Sequence, residues 1–397
     1  MKSKNLLFIT WDGPQTSYME GLFMPIFHEI SKKENVNFHV LQFTWADEKK
    51  ISQTRSAAEK MGITYSAMLV IRKPTLSIGS LITVFTSVGK IKKYITDHNI
   101  DIVMPRSTFP AMMINQIKKR DFRLIFDADG LPIEERIDFA GLQKKSFQYR
   151  LMKSAETKIL KSADAVITRS QKAIDIHIRN IGERYRGKFS VVYNGRDQNL
   201  FRYDENRRRT AREKLGLKDE FLFVYAGSLG PQYCLPQMLE ILKKYTQNHK
   251  AKFLILTGNT EFAQQNIPEE FQTGIILKSV KSHEVPFYLN AADMAFALRT
   301  PSFSMQGVAP IKLGEYLLCG LPVIASKGIG DSEEILQHFE ECFLFDHSYV
   351  TKDHLPEIMA FIQKSKTVDR SAIREKALAY FSLGAAAESY LVAFEKR

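Results

Sequence analysis

The stretch Pro310–Ser326, PIKLGEYLLCGLPVIAS, decides how this chain is read. Pro310 suits the first turn of a helix, where a missing N–H has no intrahelical partner to lose, so a helix is expected to begin near Ala309. It stops at Cys319-Gly320 and runs directly into LPVIAS, an apolar run of strand length. A helix passing through a glycine turn into a buried strand is half of a parallel-sheet unit. Core packing accounts for the leucines and the glycine but not for Lys312 and Glu315. In the first turn, Lys312 adds a full charge to the positive end of the helix dipole, and Glu315 offers a bidentate acceptor for vicinal hydroxyls. A diphosphate carried on a ribose would use both. The alternative is an ordinary i,i+3 surface pair worth only about 0.2–0.5 kcal/mol.

Working outward, the same alternation of short apolar runs and helix-length segments fills the chain. In the first half the expected strands lie at 5–10, 36–43, 101–105, 122–127, 163–170 and 189–195; in the second half at 220–227, 252–258, 274–278, 293–299, 321–326 and 342–346. Runs of this length, rich in Val, Ile and Phe, predict an α/β protein with parallel sheets. Between the halves, RDQNLFRYDENRRRTAREKLGLKD (Arg196–Asp219) loses apolar content and gains charge, which puts the interdomain connection there. The expectation is therefore two Rossmann-like doubly wound domains, 1–197 and 198–378, facing across a cleft where ligands bind. A C-terminal helix in 379–397, with Leu383, Tyr390, Leu391 and Phe394 on one stripe, is expected to cross back to the first domain.

A chain of 397 residues is long enough for two cores, and 44% hydrophobic with 25% charged residues excludes a mostly disordered protein. A net charge of +12 implies attraction to polyanions. Nucleic acid is disfavoured because the basic residues are not interleaved with an aromatic platform. The N-terminal apolar run is cut short by Trp11-Asp12-Gly13-Pro14 and reads as a buried strand, not a leader. SIGSLITVFTSVG (Ser77–Gly89) is too short and too rich in Ser and Thr to span a bilayer, so membrane contact would be peripheral. A second basic segment, Gly141–Asp164, reads as a lysine-lined helix, either a solvated face or a surface for membrane or acceptor phosphate. Three scattered cysteines lack metal-ligand spacing and fit a reducing cytoplasm, and no two of the nine histidines have ligand spacing.

With these residues in view, the chain resembles GT-B fold, family-4 retaining glycosyltransferases. PIKLGEYLLCGLPVIAS resembles their nucleotide-sugar signature, VKSHEVPFYLNAADMAFAL (Val280–Leu298) the pattern before it, and GIGDSEEIL (Gly328–Leu336) the glycine-rich turn after it. YAGSLG (Tyr225–Gly230) resembles the turn that follows the first donor-domain strand. WDGPQTSYMEGLFMPIF (Trp11–Phe27), FDADGLPIEER (Phe126–Arg136) and VVYNGRDQNLF (Val191–Phe201) resemble a bacterial subgroup of surface-polysaccharide synthesis. The resemblance implies transfer of a sugar from a nucleotide-diphosphate sugar to a hydroxyl of a glycan or polyprenyl-diphosphate-linked acceptor, at the inner face of the plasma membrane. It makes Glu315 the ligand of the ribose hydroxyls and sets Pro310, Ile311 and Lys312 beside the diphosphate. Gly227, Ser228 and Leu229 would lie over the phosphates, Ser279 and Val280 near the base, and Gly13 would leave room for the donor phosphate. On the acceptor side it points to Tyr18, with Asp129, Glu134 and Arg136 as polar lining.

The departures from the family pattern carry information too. Many members have an arginine after the glycine aligned with Gly227 and a lysine a few residues on; here stand Ser228 and Tyr233, whose neutral hydroxyls are weaker phosphate donors. The first glutamate of the usual E-x7-E pair falls at Gly307. Each missing cation removes roughly 1.5–3 kcal/mol of charge-assisted hydrogen bonding, and Lys312, Arg299 and Arg106 are the expected substitutes. Glu315, Lys312 and Arg299 are accordingly assigned to catalysis, which would neutralise the departing diphosphate without a metal or other cofactor. Asp127-Ala128-Asp129 forms a D-x-D triplet of the kind that holds a divalent cation in single-domain glycosyltransferases, but it lies away from the nucleotide signature and is read as acceptor-side polarity. Ser302–Gln306 is expected to help select the sugar. A nucleotide-sugar 2-epimerase and a non-catalytic nucleotide-sugar-binding partner of a polysaccharide assembly complex remain as alternatives.

Overall fold

The apolar runs become parallel strands in the computed structural model, which describes residues 3–349 and 351–396. In the first sheet β1 (Lys4–Trp11), β2 (Val36–Thr44), β3 (Thr64–Leu69), β4 (Ile102–Pro105), β5 (Arg123–Asp129), β6 (Ala165–Thr168) and β7 (Phe189–Val191) are ordered β3-β2-β1-β4-β5-β6-β7. The second sheet contains β8 (Phe221–Ala226), β9 (Ala251–Leu256), β10 (Ile275–Lys278), β11 (Met294–Ala297), β12 (Val323–Ser326) and β13 (Cys342–Phe345), ordered β10-β9-β8-β11-β12-β13. In each sheet the winding reverses beside the first strand, between β1 and β4 and between β8 and β11. A doubly wound sheet opens a crevice at its strands' carboxyl ends at that point. Both halves therefore have the expected α/β architecture.

One strand escaped the sequence reading. β3, TYSAML, pairs with β2 from His39↔Thr64 to Thr44↔Leu69 at the sheet edge, where only Tyr65 is buried. An edge strand needs no continuous apolar run, so the signal that finds central strands is weak there.

The chain divides into two compact units. The first comprises Met1–Tyr193, Phe303–Val308 and Ala386–Arg397, and the second Asn194–Ser302 and Ala309–Ala385. The division falls four residues before the boundary expected from composition, and the 303–308 loop, expected in the second domain, packs with the first. In the second unit Val224, Leu254 and Ala295 enter one apolar layer while Phe223, Phe253 and Phe296 enter the opposite one. That alternation is the mark of a sheet covered on both faces. In the first unit Leu7, Ile9, Leu41 and Phe43 fill one layer. The other face carries an aromatic cluster, in which Phe27 stacks on Phe38 at 4.5 Å between centroids and meets Phe8 edge-on at 5.1 Å.

Helix boundaries shift by small, explicable amounts. The helix of the opening stretch runs Ile311–Leu318, two residues later than expected, with Pro310 extended at its N-cap. The lysine-rich segment becomes helical only from Phe147, because Ser146 accepts a hydrogen bond from the Tyr149 amide and caps it. Its Lys153 is not solvated but turned inward onto Glu134 at 2.7 Å and Glu156 at 2.5 Å. The last helix, Leu383–Glu395, buries Tyr390 and Phe394 with Ala386, Ala387 and Ala393, while Leu383 and Leu391 are only half-buried. Among the described residues no helix is long and apolar enough to cross a membrane. Truncating Phe27 to alanine removes a wholly buried ring and is expected to destabilise the first unit by about 3–5 kcal/mol. Urea unfolding followed by near-UV signals from that unit checks the value.

Candidate functional site

In the second unit the carboxyl end of β8 and the helix Ile311–Leu318 are tied together by one side chain. Lys312 Nζ donates to the Tyr225 hydroxyl at 2.5 Å, and that hydroxyl donates to the Ser228 carbonyl at 2.5 Å. The ammonium also lies 4.1 Å from the Tyr225 ring centroid and 4.2 Å from that of Tyr233. Gly227 makes room for this: a Cβ there would stand 2.5 Å from Lys312 Cε, and its φ of 142° disfavours any side chain. Tyr316, one turn further on, accepts from the Ala226 amide at 2.8 Å and fixes the helix to the strand end.

Arg299, which follows β11, is held by its backbone N–H donating to Ser326 Oγ at 2.8 Å, and its guanidinium lies 5.1 Å from the Tyr233 ring centroid. Two cations thus share the Tyr233 ring, and among the described residues neither has a carboxylate within 4.0 Å. Lys312 and Glu315 do not form the i,i+3 pair. Glu315, whose side chain is 13% exposed, pairs instead with Arg196 at 2.8 Å. Burial raises the Glu315 pKa, and Arg196 and Lys312 only partly offset it. Burial pulls the Lys312 ammonium well below its ordinary range, Arg299 adds to the fall, and Glu315 gives partial relief. These are two basic side chains without a carboxylate partner within 4.0 Å beside a helix N-terminus, a setting that an anion would complete.

Gly227, Ser228, Tyr233, Arg299 and Lys312 are therefore brought together, with Glu315 one turn along and Pro310 and Ile311 opening the same helix. Leu229 is buried in the apolar layer and accepts through its carbonyl from Asn259 Nδ2 at 3.3 Å. Ser279 and Val280 follow β10, which β9 separates from β8. Arg196 was missed because nothing in local spacing links it to a glutamate 119 residues away.

The first unit disposes its charges differently. Arg106 lies 2.6 Å from Asp129 and 3.5 Å from Asp12, and Arg169 lies 2.8 Å from the fully buried Asp127. Burial alone would lower the Arg106 pKa, but Asp129, Asp12 and Asp127 together raise it. Arg106 is thus already neutralised and does not join Lys312 and Arg299 as a free cation. The D-x-D carboxylates are held by arginines. Tyr18, 40% exposed, lies beside Arg106, whose guanidinium is 5.7 Å from its ring centroid. Glu134 is buried on Lys153 and is not a surface polar group. At Gly13 the direction a side chain would take is filled by Trp45, 2.4 Å from an ideal Cβ, so indole packing by itself requires a glycine there. Gly307 stands where the family pattern has a glutamate because a Cβ there would meet the Leu131 amide at 2.8 Å, while a Cβ on Gly130 would meet the Gly307 carbonyl at 2.4 Å. Ser170 Oγ donates to the Gln306 carbonyl at 2.7 Å and Asp138 accepts from the Ser304 amide at 2.9 Å, which pins the loop in this close approach.

A cavity of about 420 Å³ opens at the carboxyl ends of β1, β2 and β3 in the first unit, beside the helices that follow β3, β4 and β5. Trp11, Trp45, Phe109 and Leu81 form its apolar wall, and Arg72 and Arg136 its polar one. Of the acceptor-side residues expected from sequence, only Arg136 lines it. The missed signal was the pair of tryptophans, the only two in the chain, each closing one of two adjacent strands.

The buried ammonium predicts an opposition between stability and ligand binding. Between the depressed Lys312 pKa and the ordinary lysine value of 10.5, the unfolded chain holds a proton that the folded chain releases, so this group makes stability rise with pH. Lys312→Met is expected to flatten that rise and to leave the ligand-free protein at least as stable near neutral pH, while weakening anion binding. Thermal unfolding across pH 7–10, with and without a nucleoside diphosphate, measures both effects.

Residues 207–377 match the family model of glycosyl transferases group 1. No curated protein matches the chain. Among solved structures, HepE (Alr3699) of Anabaena in complex with UDP is similar over 99% of this chain and 100% of its own, at 18% identity and a TM-score of 0.72. A glycosyltransferase from Rickettsia africae ESF-5 is similar over the whole of both chains, at 14% identity and a TM-score of 0.71. WaaG, a glycosyltransferase involved in lipopolysaccharide biosynthesis, is similar over 98% of this chain and 99% of its own, at 17% identity and a TM-score of 0.66. Residues 207–377, most of them in the second unit, thus resemble group 1 glycosyl transferases, the chain as a whole has the GT-B fold, and the two findings together support a GT-B glycosyltransferase.

Proposed function

We propose that the protein is a retaining, family-4 glycosyltransferase that moves a sugar from a nucleotide-diphosphate sugar to a hydroxyl of a glycan or lipid-linked oligosaccharide. Its place would be the assembly of a cell-surface polysaccharide such as capsule, O-antigen or exopolysaccharide, at the cytoplasmic face of the plasma membrane. The observation that carries this reading is the pair of unneutralised cations, Lys312 and Arg299, around Tyr233 at the mouth of a helix whose next turn bears Glu315. HepE has been solved with UDP-glucose, which supports a nucleotide-sugar donor here.

In this scheme the anomeric carbon–phosphate oxygen bond breaks as the acceptor oxygen bonds to the same carbon, and the acceptor's proton leaves with the diphosphate. Lys312, Arg299 and the first-turn amides stabilise the charge that develops on the departing group. Glu315 accepts from the ribose hydroxyls through the carboxylate that Arg196 orients. No metal is called for, because the charge it would neutralise is met by side chains.

A calorimetric screen against UDP, GDP, ADP and their sugar conjugates, with and without EDTA, tests the scheme. One nucleoside diphosphate is expected to bind with an affinity that EDTA leaves unchanged. Loss of binding on chelation would overturn metal independence, and binding without sugar transfer or release would favour the non-catalytic reading that Gly307 keeps in view. Glu315→Ala is expected to weaken nucleotide binding by about 2 kcal/mol, and to weaken the nucleoside monophosphate by the same factor, since the ribose contact is common to both. Lys312→Met should discriminate, hurting the diphosphate more than the monophosphate.

A further inference from the structure

The helix Leu76–Thr86 was singled out in the sequence as apolar yet too short to span a bilayer, and its setting gives it a use. Its inner face is fixed to the chain beside it. Thr83 Oγ1 accepts from the Ile71 amide at 2.9 Å and donates to the Gly79 carbonyl at 2.9 Å. The outer face is open: Leu76 is 58% exposed, Ile78 47%, Ile82 38% and Phe85 57%, continued by Leu69 at 68% and Ile71 at 42%. Six large apolar side chains exposed within seventeen residues exceed what a soluble surface ordinarily scatters.

The segment that carries this face has charges of one sign. From Lys60 to Thr96 the sequence contains six lysines and arginines and no aspartate or glutamate. Among the described residues, only Lys93 of these cations is in an ion pair, with Asp97. Ser77, Ser80 and Leu81 of the same helix line the cavity over the carboxyl ends of the first sheet, which opens to solvent past Leu76 and Phe147, the latter 78% exposed. Inside it the Arg72 guanidinium lies 5.0 Å from the Trp45 ring centroid. Arg136 rests on Phe109, 5.1 Å from its centroid, and on Met152 Sδ at 3.6 Å. Among the described residues neither guanidinium has a carboxylate within 4.0 Å. Two arginines without counter-charge in an apolar, tryptophan-walled cavity call for a ligand with an anionic head and a hydrocarbon body. A basic surface with an exposed apolar helix calls for an anionic membrane.

We propose that Leu76–Thr86 lies in the interface of an anionic bilayer and that the cavity beside it takes a long-chain lipid phosphate from that bilayer. The hydrocarbon next to the head runs against Trp11, Trp45 and Leu81, and the phosphate is held by Arg72 and Arg136. The proposal rests on reading the first unit as the acceptor-binding unit, and it makes the acceptor's lipid carrier part of what is recognised.

Flotation of the full chain at physiological salt tests it. The vesicles are phosphatidylcholine alone, phosphatidylcholine with phosphatidylglycerol, and phosphatidylcholine with a polyprenyl phosphate. The wild type is expected to float with both anionic vesicles, most strongly with polyprenyl phosphate, and inorganic phosphate is expected not to release it. A triple variant, Ile78→Ser, Ile82→Ser and Phe85→Ser, replaces exposed side chains only and is expected to lose flotation on every vesicle. Arg72→Gln with Arg136→Gln is expected to lose the added binding to polyprenyl phosphate while keeping that to phosphatidylglycerol. Nucleotide binding, measured in parallel, should survive in both variants, so failure here is distinguishable from failure of the transferase reading. Absence of wild-type flotation, or variants that float like the wild type, would overturn the proposal. So would a solution dimer that the serine variant dissociates, since a second copy would then cover the face.

Discussion

The ammonium of Lys312 is set among two tyrosine rings and a tyrosine hydroxyl, beside a residue that has no side chain, and the geometry of the second unit's site follows from that. A buried cation without a carboxylate partner is costly in a ligand-free protein, and folding tolerates it only where surrounding groups fix it in one place. Gly227 opens the space, Tyr225 relays the hydrogen bond to the Ser228 carbonyl, and Tyr316 holds helix to strand. Glu315, the nearest acid in sequence, is drawn to Arg196 instead. The positive charge is thereby left for a ligand. Domain stability and anion affinity pull in opposite directions at this residue, as expected where a site is shaped for a partner that arrives later.

The two units show how pairing separates structural charge from available charge. In the first, Arg106, Arg169, Asp12, Asp127 and Asp129 tie together the carboxyl ends of β1, β4 and β5 and the residue that follows β6; their charges are satisfied by one another. Arg72 and Arg136 share that unit yet rest on aromatic rings and a thioether, with no carboxylate within 4.0 Å among the described residues. Burial pulls the Arg136 pKa down, with partial relief from Glu135. Lys312 and Arg299 repeat the pattern in the second unit. The residue type predicts none of this; the presence or absence of a carboxylate within reach decides it.

Most of the fold was legible in the sequence. Twelve of the thirteen strands described announce themselves as short apolar runs, and the exception, β3, lies on an edge where burial is partial. The glycine turn, the helix and the strand of Pro310–Ser326 could be read because their signals are local. Partnership could not. Local spacing offered Glu315 only Lys312, three residues away, as an alternative to a ligand, and its actual partner is 119 residues distant. Gly307 looked like a lost glutamate, and the structure gives it a reason in its backbone approach to Gly130 and Leu131. Gly13 has the Trp45 indole where a side chain would point, a packing reason for glycine that the sequence does not announce. Each of these depends on contacts between segments far apart in the chain, which spacing does not encode.

In the proposed function a nucleoside diphosphate is held by the turn after β8 and the first turn of the Ile311–Leu318 helix. Amide hydrogen exchange of the full chain with and without UDP or GDP tests it most directly. Protection is expected to concentrate in residues 226–233 and 309–316 for the nucleotide that binds. Tight binding with no protection in either segment would contradict it.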